Sequence, residues 1–222
     1  MAAAPTLELE RALAAEGFRL VAGCDEVGRG ALAGPVSVGI VVIDAARQTE
    51  LPGVKDSKLL REPVRDALVP QIKEWAVASA VGHASALEID AHGLMPSLRL
   101  AGVRALDAIA RELLPGMVIL DGNHDWLSMP AQPELIFGGG EEDLFGALMP
   151  VRTRIKADMT CLSVAAASVL AKVERDGIVS ALAVDHPQYG WDGNKGYATA
   201  AHRAAITEFG PTQYHRQSWR LT

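Results

Sequence analysis

An α/β layer fold built on a mixed five-stranded sheet flanked by helices is what this 222-residue sequence predicts. Three observations lead there. Short β-branched, apolar runs alternate with longer segments of helical periodicity, the pattern of helix and sheet layers around one core. The first two runs are joined by Gly30-Ala-Leu-Ala-Gly34, a link so short that it favours an antiparallel pair. The chain is 49% hydrophobic, enough at this length for a single substantial core.

Residues 19–24 form the first expected strand, running into a glycine-rich turn. Pro35 to Ile43, with Val36, Val38, Ile40, Val41 and Val42, is the second. Ser57 to about Lys73 reads as a helix with Ser57 as its N-cap. Trp75 to Val81 is a third strand. Leu98, Ala101, Ala105, Ile109 and Leu113 make a helical stripe over about 96–114, stopped by Pro115-Gly116. Met117 to Leu120 is a short buried strand ending at Asp121-Gly122. Residues 128–150, with three consecutive glycines at 138–140, read as a loop, and Val151 to Ile155 as a fifth strand. The longest helix is expected over about 160–185, where the run Val164-Ala-Ala-Ala-Ser168 permits close packing on a sheet. A last helix spans about 199–209 and stops at Gly210-Pro211. The C-terminal part is therefore helical.

Composition narrows the functional classes. No apolar run reaches the roughly 18–20 residues of a membrane span, so no membrane partner is expected. The N-terminus has neither a basic nor an apolar leader region. Cys24 and Cys161 alone, with no Cys-x-x-Cys pair, argue against a disulfide framework or a zinc site and for a reducing, cytoplasmic setting. The net charge of −6 does not advertise a nucleic-acid binder. Residues 193–222, however, carry Lys195, Arg203, Arg216 and Arg220 against Glu208 alone, a local surplus suited to a phosphate backbone.

The densest chemistry lies at residues 25–30, Asp-Glu-Val-Gly-Arg-Gly. Adjacent carboxylates at a strand end can hold a hard cation such as Mg²⁺ or Mn²⁺. Glycines admit a ligand close to the backbone, and arginine suits phosphate or hydroxyl recognition. Asp25, Asp121 and Asp158 each follow an expected strand, where ligand sites of open α/β sheets gather. Brought together, they would repel one another unless a cation joined them. Asp25 and Glu26, as successive strand residues, should face opposite ways. A break in the strand near Glu26 is the expected solution, with a backbone carbonyl or a bound water as alternatives.

Taken together, these residues resemble bacterial ribonuclease HII, the type 2 ribonuclease H family. The resemblance starts with Asp25-Glu26-Val-Gly28-Arg29-Gly30 and Leu32-Ala-Gly34-Pro35-Val36. It continues through Asp56-Ser57-Lys58-Leu59, Leu120-Asp121-Gly122-Asn123 and Ala165-Ala-Ala-Ser168-Val-Leu-Ala-Lys172-Val-Glu-Arg175-Asp176. It ends with Lys195-Gly196-Tyr197-Ala-Thr199 and His215-Arg216-Gln-Ser218, so it spans about residues 18–220. The resemblance implies an RNase H-like fold in a single catalytic domain over 1–222, with 186–222 as a C-terminal substrate-binding segment. It implies hydrolysis of RNA in RNA–DNA hybrids and cleavage 5′ of single ribonucleotides embedded in duplex DNA, leaving 3′-hydroxyl and 5′-phosphate ends.

Carried over residue by residue, the resemblance makes Asp25, Glu26, Asp121 and Asp158 the catalytic acids and the ligands of two divalent metals, Mn²⁺ or Mg²⁺. Gly28, Arg29 and Gly30 would read the ribose 2′-hydroxyl, and Tyr197 would stack on the neighbouring sugar. Lys58, Lys172, Lys195 and Arg216 are expected to contact substrate, as is Arg203, with His215 beside Arg216 a further phosphate candidate. The remaining histidines, and Trp75, Trp126 and Trp219, read as packing or surface residues. The chain departs from the family pattern in places. It has Lys156-Ala157-Asp158 where Lys-Gly-Asp is usual, which leaves Asp176 as the fallback fourth acid. It has Asn194 where His is common, and Trp191 where Phe is common, expected to modify substrate contacts. The enzyme is expected to act as a monomer.

Overall fold

The computed structural model describes residues 4–110, 113–128 and 149–222. Five strands, β1 (Leu20–Val27), β2 (Val36–Asp44), β3 (Ala78–Ala84), β4 (Met117–Asp121) and β5 (Val151–Arg154), form one sheet in the order β3-β2-β1-β4-β5. β1 pairs antiparallel with β2, and β2 with β3; β1 pairs parallel with β4, and β4 with β5. The sheet is mixed, as expected. Residues 129–148, nearly all of the expected glycine-rich loop, lie outside the described residues.

Six helices of more than one turn accompany the sheet among the described residues: α1 (Glu8–Ala15), α2 (Glu62–Trp75), α3 (Ala86–His92), α4 (Leu94–Ala110), α5 (Leu162–Asp185) and α6 (Ala200–Phe209). One core layer joins Val21, Val41, Ile43 and Ile119 to Val164, Ala167 and Val169 of α5, with Leu13 of α1 and Ile72 of α2. The other joins Ala22, Cys24, Ile40 and Leu120 to Leu98, Ala101 and Ala105 of α4. β2, in the middle, is buried along its whole length. The close approach of α5 depends on missing side chains. A Cβ on Gly23 would run into the Ser163 backbone, and one on Gly39 into the Ala167 carbonyl. The expectation drawn from the small-residue run 164–168 holds.

Several expectations moved. The helix expected from Ser57 is divided: a 3-10 turn at Ser57–Leu59 precedes α2, and Asp56, not Ser57, caps it by accepting from Lys58 N. β3 starts three residues later than expected. Leu98, Ala101, Ala105 and Ile109 of the expected stripe belong to α4, which begins at Leu94 directly after α3 and ends at Ala110, short of Leu113. The longest helix starts at Leu162, behind a separate turn at Ala157–Thr160. α1 was not anticipated. It places buried Glu10 at the start of α5, where its Oε1 accepts from Ser163 N at 2.9 Å and Ser163 Oγ at 2.7 Å. That satisfies one of the amides a helix start leaves unpaired. Among the described residues, no helix is long and apolar enough to cross a membrane.

Candidate active site

The register explains how acids distant in sequence meet. β1 and β4 pair in parallel up to Cys24 opposite Leu120. One step further along each strand stand Asp25 and Asp121. Side chains alternate across a sheet. Val21 and Ile119 belong to the layer beneath α5, so Asp25 and Asp121 lie on that side. Asp121 Oδ1 then accepts from Ala157 N at 2.6 Å, tying down the turn that carries Asp158. Lys156, just before that turn, takes a left-handed conformation (φ 58°), unusual for a side-chain-bearing residue. Asp121 therefore positions Asp158, which is buried, despite the altered residues around it.

The expected break at Glu26 is absent. β1 continues in register through Glu26 opposite Val38 and Val27 opposite Ser37. By alternation Glu26 falls on the α4 side, and Arg29, whose Nη1 is 3.4 Å from Glu26 Oε1, also reaches Met95 of α4. What replaces the break is unequal strand length. β4 ends at Asp121 while β1 runs two residues past Asp25, so beside Glu26 the sheet has no neighbour on that edge. Both faces open onto one sheet end, and the Asp121 charge there helps raise the Glu26 carboxyl.

The electrostatics are those of crowded carboxylates. Burial lifts the Asp25 carboxyl well above the usual carboxylate range; Glu26 and Asp121 add to the shift and Lys58 opposes it. Burial also raises Glu26, against the pull of Arg29. It raises Asp158 too, helped by Asp121 and Asp56. Lys58 supplies the countercharge, with Nζ 3.2 Å from Asp158 Oδ2 and 3.7 Å from Asp56 Oδ1. Burial disfavours its charge, but Asp25, Asp56 and Asp158 outweigh that and raise its pKa.

Four oxygen-donor side chains are the right type for a hard divalent cation. Glu26 Oε2 is buried without a hydrogen-bond partner, an atom that a cation would satisfy. Among the described residues, however, no three His, Cys, Asp or Glu side chains are grouped so as to hold a metal ion as they stand. The donor set fits such an ion, and the present rotamers serve Lys58 and Arg29 instead. Asp176, the alternative fourth acid, pairs with Lys172 Nζ at 2.7 Å and Arg175 Nη1 at 3.2 Å. It is buried in these pairs rather than solvated on the helix.

A second cluster adjoins the first. After Gly28, Ala31 bridges to Tyr197 and Ala33 to His215, so the Gly-Arg-Gly turn, the Lys-Gly-Tyr loop and the C-terminal turn share backbone pairing. Gly196 has φ 79°, and a Cβ there would strike the Ala33 carbonyl. Gly28 has φ 82°, and a Cβ would lie 2.6 Å from Arg175 Nε. Gly30 is different: a Cβ would meet nothing within 4 Å. The fold demands the first glycine of the turn and not the second. Arg29 and Gly30 are exposed. The Tyr197 ring has Lys172 Nζ at 5.2 Å and Arg175 Cζ at 5.1 Å from its centroid, distances at which cations hold an aromatic face.

Arg216 does not face a substrate. It is fully buried, with Nη1 donating to Arg29 O at 3.0 Å and Nη2 to Gly28 O at 2.7 Å and Gly34 O at 3.3 Å. Arg175, also fully buried, donates to the carbonyls of Pro35, Ala33 and Lys195. These two arginines, rather than surface phosphate binders, hold the turn in shape. His215 is likewise buried and not a phosphate contact. Lys195 Nζ donates to Ser180 Oγ at 2.6 Å, and Arg203 Nη1 to Leu221 O at 2.9 Å. Much of the basic surplus at the C-terminus thus works inside the fold. Arg175, Asp56, Trp191 and His202 are the residues whose part sequence reasoning missed. Arg175 and Asp56 stood within the recognised motifs, but nothing in sequence distinguishes an arginine bound to carbonyls from one bound to phosphate.

Carboxylates collected at the end of two parallel strands of a mixed sheet, beside a glycine-lined cradle, define a hydrolase of the RNase H-like fold. The chain belongs to the ribonuclease HII family, whose family model, described as Ribonuclease HII, matches residues 22–222. A Ribonuclease HII from Streptomyces avermitilis is 45% identical over 216 residues, covering 97% of this chain and 83% of that protein. One from Roseiflexus castenholzii is 42% identical over 219 residues, covering 97% and 88%. Among solved structures, the ribonuclease H2 from Pyrococcus horikoshii aligns with a TM-score of 0.69 at 26% identity, covering 91% of this chain and 94% of that one. A Bst-RNase HIII determined in complex with Mn²⁺ shares the fold, with a TM-score of 0.65 at 22% identity, covering 95% and 71%. Family membership makes the protein a divalent-metal-dependent endoribonuclease acting on RNA–DNA hybrids.

Proposed function

We propose that the enzyme also cuts duplex DNA on the 5′ side of a single embedded ribonucleotide, leaving 3′-hydroxyl and 5′-phosphate ends. Asp25, Glu26, Asp121 and Asp158 would hold two divalent ions, Mg²⁺ or Mn²⁺. Such ions, when bound, lower the pKa of a water and stabilise the departing 3′-oxygen. The observation that carries this reading is the meeting of Asp25 and Asp121 one step past the last β1–β4 pair, with a partnerless Glu26 oxygen beside them.

The chain's own residues supply selectivity. The exposed Arg29-Gly30 backbone, on a turn pinned by Arg175 and Arg216, presents amides and carbonyls to a ribose 2′-hydroxyl. Tyr197, propped by Lys172 and Arg175, packs on the adjacent sugar. Lys58, on the exposed rim of the acids, pairs with Asp158 and Asp56 and would be free to contact a phosphate were cations to take over those carboxylates. In this reading, residues 186–222 of the single domain serve the substrate by shaping the Tyr197 loop and the Gly-Arg-Gly turn. The enzyme acts as a monomer in the cytoplasm, a setting in keeping with two free, buried cysteines.

The test is incubation with Mn²⁺ or Mg²⁺ and a labelled DNA duplex carrying one ribonucleotide. The expected product is a single cut 5′ of that residue, abolished by EDTA. Cleavage of hybrids alone, or cleavage surviving EDTA, overturns the reading.

A further inference from the structure

The loop that carries Tyr197 is held from behind by a line of buried side chains away from the acids. Tyr197 O accepts from Thr199 N at 2.8 Å and lies 2.9 Å from His202 Nδ1. His202 Nε2 lies 2.9 Å from Trp191 Nε1 and 3.2 Å from His215 Nε2. His215 Nδ1 receives the Thr212 amide at 2.9 Å. Trp191, His202 and His215 are all fully buried.

An indole N–H and a backbone amide can only donate. Trp191 therefore gives its proton to His202 Nε2, which leaves the His202 proton on Nδ1, facing the Tyr197 carbonyl. Thr212 gives its amide proton to His215 Nδ1, which leaves the His215 proton on Nε2, facing His202. Every donor in the chain from Thr212 through His215 and His202 to Tyr197 points the same way; no other placement of the ring protons gives each of the four contacts a donor and an acceptor, and His202 Nε2 shares its one lone pair between Trp191 and the more distant His215. Asn194 closes the loop from its other end: Nδ2 donates to Tyr189 O at 2.6 Å, and Oδ1 accepts from Gly196 N at 2.8 Å. Lys195, between them, holds a left-handed backbone (φ 50°) that the surroundings must enforce. Trp191 and Asn194 are two positions where the sequence departs from the pattern it resembles, and both bond to the frame of this one loop.

We propose that His202 is a positioning residue for Tyr197, fixed in its Nδ1-protonated tautomer by Trp191 and His215. This deepens the proposed function and rests on the part given there to Tyr197. His202 touches no substrate; it sets the Tyr197 carbonyl, and with it the ring.

Two measurements test it on the full chain. Long-range ¹H–¹⁵N spectra of ¹⁵N-histidine-labelled protein should show His202 protonated at Nδ1 and His215 at Nε2. Trp191→Phe, which keeps a ring and deletes the donor, should give His202 mixed tautomers. The opposite tautomer in the unmodified protein, or a His202 signal unmoved by Trp191→Phe, overturns the proposal. Cleavage of a single-ribonucleotide duplex is then followed below the melting temperature of every variant. His202→Asn retains an amide N–H near the Nδ1 position and should stay within about threefold in kcat/KM. His202→Gln carries its amide further out and should lose about tenfold, the worth of one hydrogen bond. In a Tyr197→Ala background the difference between the two should vanish. Equal losses in both variants, or a difference that persists without the Tyr197 ring, overturns the positioning role while leaving the proposed function standing. An unmodified enzyme that fails to cut this substrate overturns both.

Discussion

The acid cluster and the cradle beside it are built on opposite principles. At the acid end, like charges are crowded, the Asp25 and Glu26 carboxyls are pushed up by burial, and one Glu26 oxygen has no partner. In the cradle, two buried arginines give hydrogen bonds to six carbonyls, those of Gly28, Arg29, Ala33, Gly34, Pro35 and Lys195. The first region is destabilised until something positive enters; the second has its carbonyls paired before anything binds, and leaves Arg216 Nε as its own partnerless atom. On the proposed function, the contrast separates two tasks. Binding a cation draws its free energy from a site left under strain, whereas telling a ribose from a deoxyribose needs a surface that does not yield.

The largest test falls on the strained side. Asp25→Asn or Asp121→Asn should reduce kcat/KM by at least about a thousandfold, roughly 4 kcal/mol of transition-state stabilisation. Asp25→Asn should also raise thermal stability, by about 1 kcal/mol, because a buried like charge disappears. A lower melting temperature for Asp25→Asn would break the comparison. On the other side, Arg216→Ala should cost about 3 kcal/mol in chemical denaturation, since it strands the carbonyls of Gly28, Arg29 and Gly34 and uncovers Trp219.

Acid should find the same weakness. Burial, with His202 and His186 adding to it, lowers the His215 pKa to about 4, and burial lowers His202 as well. The unfolded chain takes up protons on these imidazoles near pH 6.5, where the fold resists. The stability these two imidazoles contribute is therefore complete above about pH 6.5, falls as pH drops, and levels off below the folded value. For His215 the loss approaches about 3 kcal/mol, and His215→Gln should flatten that slope. The smallest change in stability is expected at Gly30, where added bulk meets nothing. Gly30→Ala should leave the melting temperature unchanged and still lower cleavage at single ribonucleotides, by about tenfold. Unchanged cleavage would mean that the second glycine reads no ligand.

Much of this was legible from residues alone, and the exceptions share a cause. β1, β2 and β4 were readable because their apolar runs end sharply in acid or glycine, and the meeting of Asp25 with Asp121 followed once β1 and β4 were parallel neighbours. α1 was missed because it is only eight residues long and a glutamate, Glu10, stands on its buried face beside Leu13. The break expected at Glu26 came from treating one strand alone; the opening beside Glu26 is a property of two strands of unequal length. Arg216 and His215 were misplaced because sequence shows a charge or a ring but not which way it points. Trp191 and Asn194 looked like adjustments to substrate contact, and their side chains turn out to bond within the frame of the Tyr197 loop.

The mixed pairing of the sheet has a consequence for the order of assembly. β1 and β2 form a hairpin whose contacts are local, whereas β4 pairs with β1 only after a long excursion of the chain through α2, β3 and α4. Local pairings form ahead of distant ones. On that order Asp25 and Glu26 are set by the β1–β2 hairpin, and the repulsion from Asp121 and Asp158 arrives only when β4 docks on β1. A divalent cation acts on interactions absent from the folding transition state, so it should slow unfolding and leave the folding rate nearly untouched. Bound metal would then be a kinetic lock on the finished enzyme as well as part of its chemistry.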